Sequence, residues 1–362
     1  MTAGQAPRAT VGDVSGRSVV LAYGSVVAEY EALQTGAALF DRSHRGRVRV
    51  NGDKAAEMVA GLVTNDVTGL APGQGCYAAA LTAKGKIVAD VRVFIDEGSV
   101  LVDAPPRAAI AWAAMVKKFV NPRTAPHVDE SATLRDLGIF GATSRHVVSA
   151  LTGVQAPALT ALAPYAHVTI EIAGHKVLIV KSADLGVEGF ELFVPAEQFD
   201  ALWAGAAANG AVPAGLEAWE IARVEAGRPE WGLDIDDTTI PQEANFDELH
   251  AISYTKGCYV GQETVARVHF RGHVNKHLRG IRAVDADAPP AGATLHDDSG
   301  VQVGDVRTAV RSPRLGGIAL AMIRREVAPG ASLLARWPIE GVADGNVNER
   351  RVDVAALPFD AS

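Results

Sequence analysis

Three consecutive stretches rich in strand-forming residues, joined by short glycine-containing turns, constrain the fold of this chain more than any other feature. They read GCYAAALTAKG, KIVADVRVFID and GSVLVDAPP, and they lie between residues 75 and 106. Neighbouring strands joined by tight turns pair antiparallel, because a parallel pair needs a crossover connection of about a dozen residues. A helical pattern with cations in its last turn, AAIAWAAMVKKFV, follows directly. The segment 48–138 therefore predicts an α+β unit with an antiparallel sheet.

The rest of the chain predicts a second unit of this kind and a barrel. Residues 139–245 again alternate helical patterns with strands, including a hairpin in HVTIEIAGHKVLIVKSA and a strand in GFELFVP. From Leu278 onward the chain is rich in valine and interrupted by Gly and Pro turns, which is typical of a small β-barrel. Near the N-terminus, a helical pattern extends from Tyr23 to Leu39, and residues 1–17 are expected to form a flexible lead.

Charge and cysteine content narrow the classes of function. The formal net charge of −8 argues against binding nucleic acid over the whole surface, although the basic stretch 267–282 leaves local binding open. Two cysteines are too few for a disulfide framework or for a four-thiolate metal site within one chain. A chain with so few cysteines is typical of a reducing, cytoplasmic location. No signal peptide and no membrane span are expected, since neither apolar pattern occurs.

The segment KGCYVGQETVARVHFRGHVNKH, from Lys256 to His277, contains one of the two cysteines. Gly257 leaves Cys258 without side-chain cover on one side, and Lys256 and Arg267 are cations that would favour the reactive thiolate. Spacing alone favours the alternative that Cys258 is a small packed residue, since free cysteines are often buried. Cys76, inside an apolar strand, is expected to be packed.

Three histidines in this segment, His269, His273 and His277, are spaced by four residues. On a continuous helix they would share one face, as a metal site requires. Gly272 interrupts the pattern, and no carboxylate accompanies the histidines at a spacing suited to orient them as ligands. We therefore predict no metal here, and we expect histidines that face solvent or an anion.

Several motifs resemble one known family. GAALFDRSH, LVTNDVTGLAPGQGCY, GFELFVP and ARVEAGRPEWGLDI occur in the order and spacing of the glycine-cleavage T-protein (aminomethyltransferase) superfamily, which binds tetrahydrofolate or a derivative. IPQEANF and KGCYVGQETVAR resemble its YgfZ branch. The resemblance implies two α+β domains with antiparallel sheets and a C-terminal β-barrel, arranged around a central channel. The implied boundaries are 18–47 with 139–250 for the first domain, 48–138 for the second, 251–277 for the signature loop segment and 278–362 for the barrel.

The resemblance also implies a set of site residues. Glu191 would bind the edge of the pterin ring and Arg223 would hold nearby groups, although a solvated strand glutamate and a surface arginine are the plain alternatives. Asn65 and Asp66 would line the channel, or would form a helix-terminal turn. Asp90 completes the implied set of folate-binding residues. The residues implied around a reactive Cys258 are Lys256, Gly257, Tyr259, Gly261, Gln262, Glu263 and Arg267.

Two departures from the family pattern concern acids. The family carries paired aspartates in the stretch that reads IVADV here, where Asp90 is kept and Ala89 replaces the acid that the transferase reaction needs. Val187 likewise replaces a glutamate. With these acids missing, the resemblance to the YgfZ branch implies a folate-binding accessory protein for iron–sulfur cluster assembly or repair, with a link to tRNA modification and with iron–sulfur client or assembly proteins as partners. The alternatives are a folate-dependent aminomethyltransferase or demethylase, and an RNA-binding partner that uses residues 267–282.

Overall fold

A computed structural model describes residues 9–283, 287–339 and 347–360 of the chain. The N-terminal part begins with a hairpin of β1 and β2 and contains the elements β1 (Thr10–Val14), β2 (Arg17–Ala22), α1 (Val26–Thr35), β3 (Ala38–Asp41), β4 (Gly46–Asn51), α2 (Ala55–Ala60), β5 (Gly75–Leu81), β6 (Ile87–Asp96), β7 (Ser99–Ala104), α3 (Ala109–Phe119), β8 (His127–Asp129) and β9 (Leu134–Phe140).

The middle part alternates helices and strands: α4 (Ser144–Thr152), α5 (Ala156–Ala161), β10 (His167–Ile172), β11 (His175–Ser182), β12 (Gly189–Pro195), α6 (Phe199–Ala208), β13 (Val212–Pro213) and α7 (Leu216–Glu225). After α8 (Gln262–Arg271), the C-terminal part consists of the strands β14 (Lys276–Ala283), β15 (Thr294–His296), β16 (Gln302–Ser312), β17 (Gly316–Arg324), β18 (Ser332–Pro338) and β19 (Val347–Ala355).

The strands form two large sheets and a closed barrel. The five-stranded sheet has the order β5-β6-β7-β4-β8 and is antiparallel throughout. The six-stranded sheet has the order β10-β11-β12-β9-β3-β13, and β13 alone pairs parallel, with β3. Strands β14 to β19 close the barrel. The predicted α+β fold with antiparallel sheets and a C-terminal barrel is confirmed, and the three opening stretches are β5, β6 and β7.

Each large sheet buries one face under helices and the other against its counterpart. The helix-covered core of the five-stranded sheet includes Val59, Trp112 and Val116. Between the two sheets, apolar side chains such as Phe94 and Phe193 pack together, with their ring centroids 5.4 Å apart. Both residues are fully buried. Polar side chains on these inner faces are therefore held in a water-poor interior.

Three boundaries differ from the expectations. Helix α1 ends at Thr35 rather than reaching Leu39, because residues 38–41 pair with β9 as strand β3. Residues 10–22 form a hairpin instead of a flexible lead, and residues 1–8 lie outside the described part. Strand β9 starts before residue 139 and belongs wholly to the six-stranded sheet.

The domain division therefore remains a proposal. The point at which the chain returns to the first proposed domain moves from residue 139 to before residue 134. Within the proposed barrel range 278–362, residues 284–286, 340–346, 361 and 362 are outside the described part.

Candidate functional site

Strand β6 carries a carboxylate into the interior between the two sheets. Side chains alternate along a strand, and Ala89 and Val91 belong to the core under the helices, whereas Asp90 and Arg92 face the other sheet. Ala89 stands where the family pattern implied the missing acid. Its side chain faces the core under the helices, whereas the retained Asp90 faces the interior between the sheets.

Asp90 is buried and has two hydrogen-bond donors. The Tyr77 hydroxyl donates to Oδ2 at 3.1 Å, and the backbone N–H of Trp231 donates to Oδ1 at 3.0 Å. Burial raises the pKa of Asp90 to about 6, which the hydrogen bonds only partly offset. A carboxyl group with this pKa exchanges its proton near neutral pH, as a general acid or base must.

Asp90 lines a small chamber of about 20 Å³. Asp184 and Glu230 also line it, together with five arginines: Arg42, Arg45, Arg92, Arg223 and Arg228. A space of this size holds roughly one water molecule. The chamber is therefore closely lined by charged side chains of both signs that belong to the chain itself.

Arg228 is held against two tyrosines at the wall of this chamber. Its guanidinium carbon lies 3.9 Å from the ring centroid of Tyr77, and it donates to the Tyr165 hydroxyl. It also pairs with Asp184 at 3.3 Å. None of these residues, nor Trp231 and Arg92, was assigned a role from the sequence. Tyr77, Arg228 and Trp231 nevertheless lie within the family-like motifs, and Arg92 lies two residues after Asp90 on the same strand face.

Glu191 lies on β12, fully buried and next to the chamber rather than in its lining. Its Oε2 accepts from Arg92, whose guanidinium also pairs with Asp103 at 2.8 Å and Asp184 at 3.1 Å. Among the residues that the structure describes, Glu191 Oε1 has no hydrogen-bond partner, and burial raises the pKa of this carboxyl. Binding of a pterin by Glu191 stays a prediction, and it requires access that Arg92 now blocks.

The other residues implied for folate binding have partners within the chain. Arg223 pairs with Asp234 at 2.5 Å and with Glu220 at 2.7 Å, so it acts as a structural link at the chamber wall. Asn65 donates to the backbone oxygens of Tyr77 and His250, at 2.9 and 2.8 Å. Asp66 accepts from Thr68, a contact that lowers its pKa. Asn65 and Asp66 thus stabilise a turn, and neither lines the chamber.

A larger cavity of about 300 Å³ adjoins the chamber. It lies between the β1–β2 hairpin, the end of β3 and α7. The Arg42 guanidinium stacks on the Trp219 ring, with 3.6 Å between its carbon and the ring centroid. Because Arg42 and Trp219 line both spaces, this pair forms their shared wall.

The signature segment exposes its cysteine. Cys258 is exposed, and a side chain at Gly257 would meet no atom within 4 Å. Lys256 donates to the backbone oxygens of Ala60 and Val63, at 2.6 and 3.0 Å. Burial lowers the pKa of Lys256 to about 8. By contrast, burial raises the pKa of Cys76 to about 12, in keeping with its predicted packing.

Helix α8 starts at Gln262 and forms the second half of the signature. Gly261 precedes it in a left-handed conformation, with φ of 84°. Arg267 pairs with Glu263 at 2.6 Å on the exposed face of the helix. Tyr259 is buried among the side chains between the sheets.

The three histidines do not share a helix face. Helix α8 ends at Arg271, so His269 alone is helical, while His273 follows in a loop and His277 lies in β14. His269 stacks on Tyr254 with 3.6 Å between ring centroids. In the described part of the chain, no group of three or more His, Cys, Asp or Glu side chains is placed to hold a metal ion. None of the helices described there is long and apolar enough to span a membrane.

Comparison with known proteins identifies the family. The model of the GCVT N-terminal domain matches residues 2–253. This chain belongs to the GCVT family. The aminomethyltransferase of Saccharopolyspora erythraea is 29% identical and aligns over 97% of this chain and 94% of its own length. The aminomethyltransferase of Geobacillus kaustophilus is 31% identical, with 87% of each chain covered.

A solved structure shares the whole fold. The crystal structure of glycine cleavage system aminomethyltransferase T from Bartonella henselae superposes with a TM-score of 0.86. It is 22% identical and covers 98% of this chain and 94% of its own. The family model and the similar aminomethyltransferases confirm the T-protein superfamily. The YgfZ branch stays a prediction, and these relatives favour the aminomethyltransferase alternative over the accessory function.

Proposed function

We propose that this chain is a one-carbon transferase of the aminomethyltransferase type, with Asp90 as the group that accepts and returns a proton. Aminomethyltransferases match it over most of its length, which supports the reaction class. The observation that carries the role of Asp90 is its buried carboxyl group in a chamber, with a pKa of about 6. In such a transfer, the donor's leaving heteroatom gains a proton and the acceptor loses one. A group that titrates near neutral pH serves both steps.

Tetrahydrofolate, which the family resemblance implies, would supply an amine nitrogen as the acceptor. The residues around Asp90 do not accommodate it as they stand, because the chamber of about 20 Å³ holds a water molecule but not a pterin ring. Folate binding beside Asp90 therefore requires the Arg42–Trp219 wall or Arg228 to move. Calorimetric titration with tetrahydrofolate and with its 5-formyl derivative measures whether the closed chamber opens for either compound.

Replacing Asp90 tests the proposed role directly. Asp90→Asn keeps the size and the hydrogen-bond acceptor but removes the exchangeable proton, so we expect kcat to fall by about 10²–10⁴-fold. The assay is tetrahydrofolate-dependent release of the one-carbon unit from a lipoyl-bound aminomethyl group. Asp96→Asn, at the surface end of the same strand, is the matched control. Equal kcat values for Asp90→Asn and the wild type would refute the assignment.

A second candidate function rests on Cys258. We propose, as the alternative, a folate-binding accessory protein of iron–sulfur metabolism, supported by an exposed thiol in an open glycine loop. Neither cavity is lined by Cys258, so this chemistry would be separate from that of Asp90. Iron–sulfur clients, a link to tRNA modification, nucleic-acid binding through 267–282 and a cytoplasmic location all stay predictions.

A complementation test in cells distinguishes the accessory function from the transferase function. If the accessory function holds, Cys258→Ser loses the ability to sustain iron–sulfur enzymes in cells, while the fold and folate affinity are unchanged. Cys76→Ser, which alters the packed cysteine, serves as the control and is expected to complement. Full complementation by Cys258→Ser removes the accessory role and leaves the transferase proposal untouched.

A further inference from the structure

The side chain of Arg228 occupies the space that a flat ligand beside Asp90 needs. Its guanidinium carbon lies 3.9 Å from the ring centroid of Tyr77, so the guanidinium covers one face of that ring. The Tyr77 hydroxyl donates to Asp90 Oδ2 at 3.1 Å. Arg228 is 7% exposed and lines the chamber. A ligand ring that took the place of this guanidinium would therefore stack on Tyr77 next to the carboxyl group of Asp90.

The Arg228 side chain is held lightly, although its backbone is fixed. The backbone N–H donates to the Arg223 oxygen at 3.0 Å, and the Arg228 oxygen accepts from Arg223 Nη1 at 2.6 Å. Among the residues that the structure describes, every hydrogen bond from the Arg228 guanidinium comes from Nη2, which donates to the Tyr165 hydroxyl and to Asp184 at 3.3 Å. Rotation about the side-chain bonds therefore moves the guanidinium while the backbone stays in place.

The neighbouring walls of the chamber are held more firmly. Trp219 is 1% exposed, and its ring packs edge-on against Phe40 and Phe140, with centroids 5.3 and 5.1 Å apart. Displacing this ring would leave a void in a packed hydrophobic core, which is costly. Arg92 is held by three buried carboxylates, those of Asp103, Asp184 and Glu191. Of these walls, the Arg228 side chain thus moves with the smallest loss of contacts.

The groups that hold Arg228 also suit the ring of a folate. A guanidinium and the pyrimidine edge of a pterin are both flat, and both present N–H groups in their plane, so Asp184 and Tyr165 offer acceptors to either. The Tyr77 ring can stack on either as well. When Arg228 leaves, Asp184 keeps its pair with Arg92 at 3.1 Å, so this carboxylate is not left buried without a cation.

We propose that Arg228 is a plug, a side chain that fills the site of the folate ring in the free protein and moves out when tetrahydrofolate binds. The plug rests on the proposed function because it takes tetrahydrofolate as the ligand beside Asp90. It lowers the affinity for that ligand, since only molecules with the plug displaced are competent to bind. Removing the guanidinium should therefore strengthen binding, whereas removing a residue that contacts the ligand would weaken it.

Calorimetric titration with tetrahydrofolate compares the wild type with Arg228→Met. We expect the variant to bind at least about tenfold more tightly, because no stacked and hydrogen-bonded cation has to be displaced. Arg350→Met is the control, since Arg350 also lies over an aromatic ring, that of Trp337 in the barrel, with 5.8 Å to its centroid. The control should bind like the wild type. Unchanged or weaker binding by Arg228→Met overturns the plug.

A measurement on the wild-type protein does not depend on the folding of a variant. Phenylglyoxal modifies accessible guanidinium groups, and mass spectrometry of the digested protein follows the modification of Arg228. This residue should react slowly in the free protein and several-fold faster when tetrahydrofolate is bound. Protection of Arg228 by tetrahydrofolate, or an unchanged rate, overturns the plug.

The two measurements also distinguish the plug from the proposed function. If tetrahydrofolate binds to neither the wild type nor Arg228→Met, the plug and the folate-dependent transfer both fail. If the wild type binds tetrahydrofolate and turns over while Arg228 becomes protected, the transfer stands and only the plug is wrong.

Discussion

At the scale of single residues, the face of the strand on which a side chain lies determines whether it can reach the candidate site, and the composition of the strand does not reveal that face. Ala89 and Asp90 are adjacent in a strand, and a shift of one residue exchanges the helix-covered core for the interior between the sheets. The sequence predicted strand β6 correctly but not which of its faces meets the site. Val91 and Val93 alternate with Asp90 and Arg92 along the strand. The sequence thus contains the alternation of one apolar and one charged face, and it indicates the orientation of Asp90 once the charged face is allowed to be buried.

The raised pKa of Asp90 predicts how the free energy of unfolding changes with pH. Its folded-state pKa of about 6 lies above the ordinary value of 3.8, so the folded protein holds this proton more tightly than the unfolded chain. The associated stability is complete below pH 3.8 and is lost as the pH rises through 6. A shift of this size corresponds to about 3 kcal/mol.

Urea denaturation between pH 4 and pH 7 measures this term as the difference between wild type and Asp90→Asn. All other titrating groups are common to the two proteins, so the difference isolates Asp90. Relative to wild type, the free energy of unfolding of Asp90→Asn should rise by about 2 kcal/mol between pH 4 and pH 7, which is most of the full difference. Parallel curves would mean that Asp90 is not perturbed by burial.

At the scale of elements, local sequence patterns predicted the strands and most helices. They did not predict where an element ends when that end depends on pairing with a distant strand. Helix α1 was expected to continue to Leu39, yet Gly36 ends it and Ala38 to Asp41 find partners in β9. Those partners lie about a hundred residues away in sequence, so no local signal could reveal them. In the signature segment, α8 starts at Gln262 directly after Gly261, whose left-handed conformation breaks the chain direction there.

Gly261 also positions the signature segment against the β5–β6 turn. A Cβ there would lie 2.5 Å from the Thr82 carbonyl oxygen, and φ is already 84°. Gly261→Ala should therefore destabilise the protein by at least about 2 kcal/mol, from left-handed strain and the clash together. Gly257→Ala, in the same loop, meets no atom within 4 Å and should cost less than about 1 kcal/mol. Equal losses in guanidinium denaturation would show that Gly261 is not the anchor.

At the scale of the whole molecule, charged side chains connect the two sheets. Arg92 on β6 reaches across to Glu191 on β12 and to Asp184 after β11. These residues are separated by about a hundred positions, and each pattern by itself only suggested a polar residue in a strand. The sequence resemblance placed Glu191 in the interior, but its partner Arg92 is visible only when the sheets are face to face.

The same pair gives a prediction about what holds the sheets together. Arg92→Met leaves Glu191 buried without a cation, so we expect a loss of about 3–5 kcal/mol in the free energy of unfolding. Glu191→Gln in the Arg92→Met background should recover part of that loss, because the uncompensated charge is then gone. The double-mutant cycle should give a coupling of about 1–3 kcal/mol. Strictly additive effects would mean that the two residues act independently, and Glu191 would then be free to serve a ligand instead of the opposite sheet.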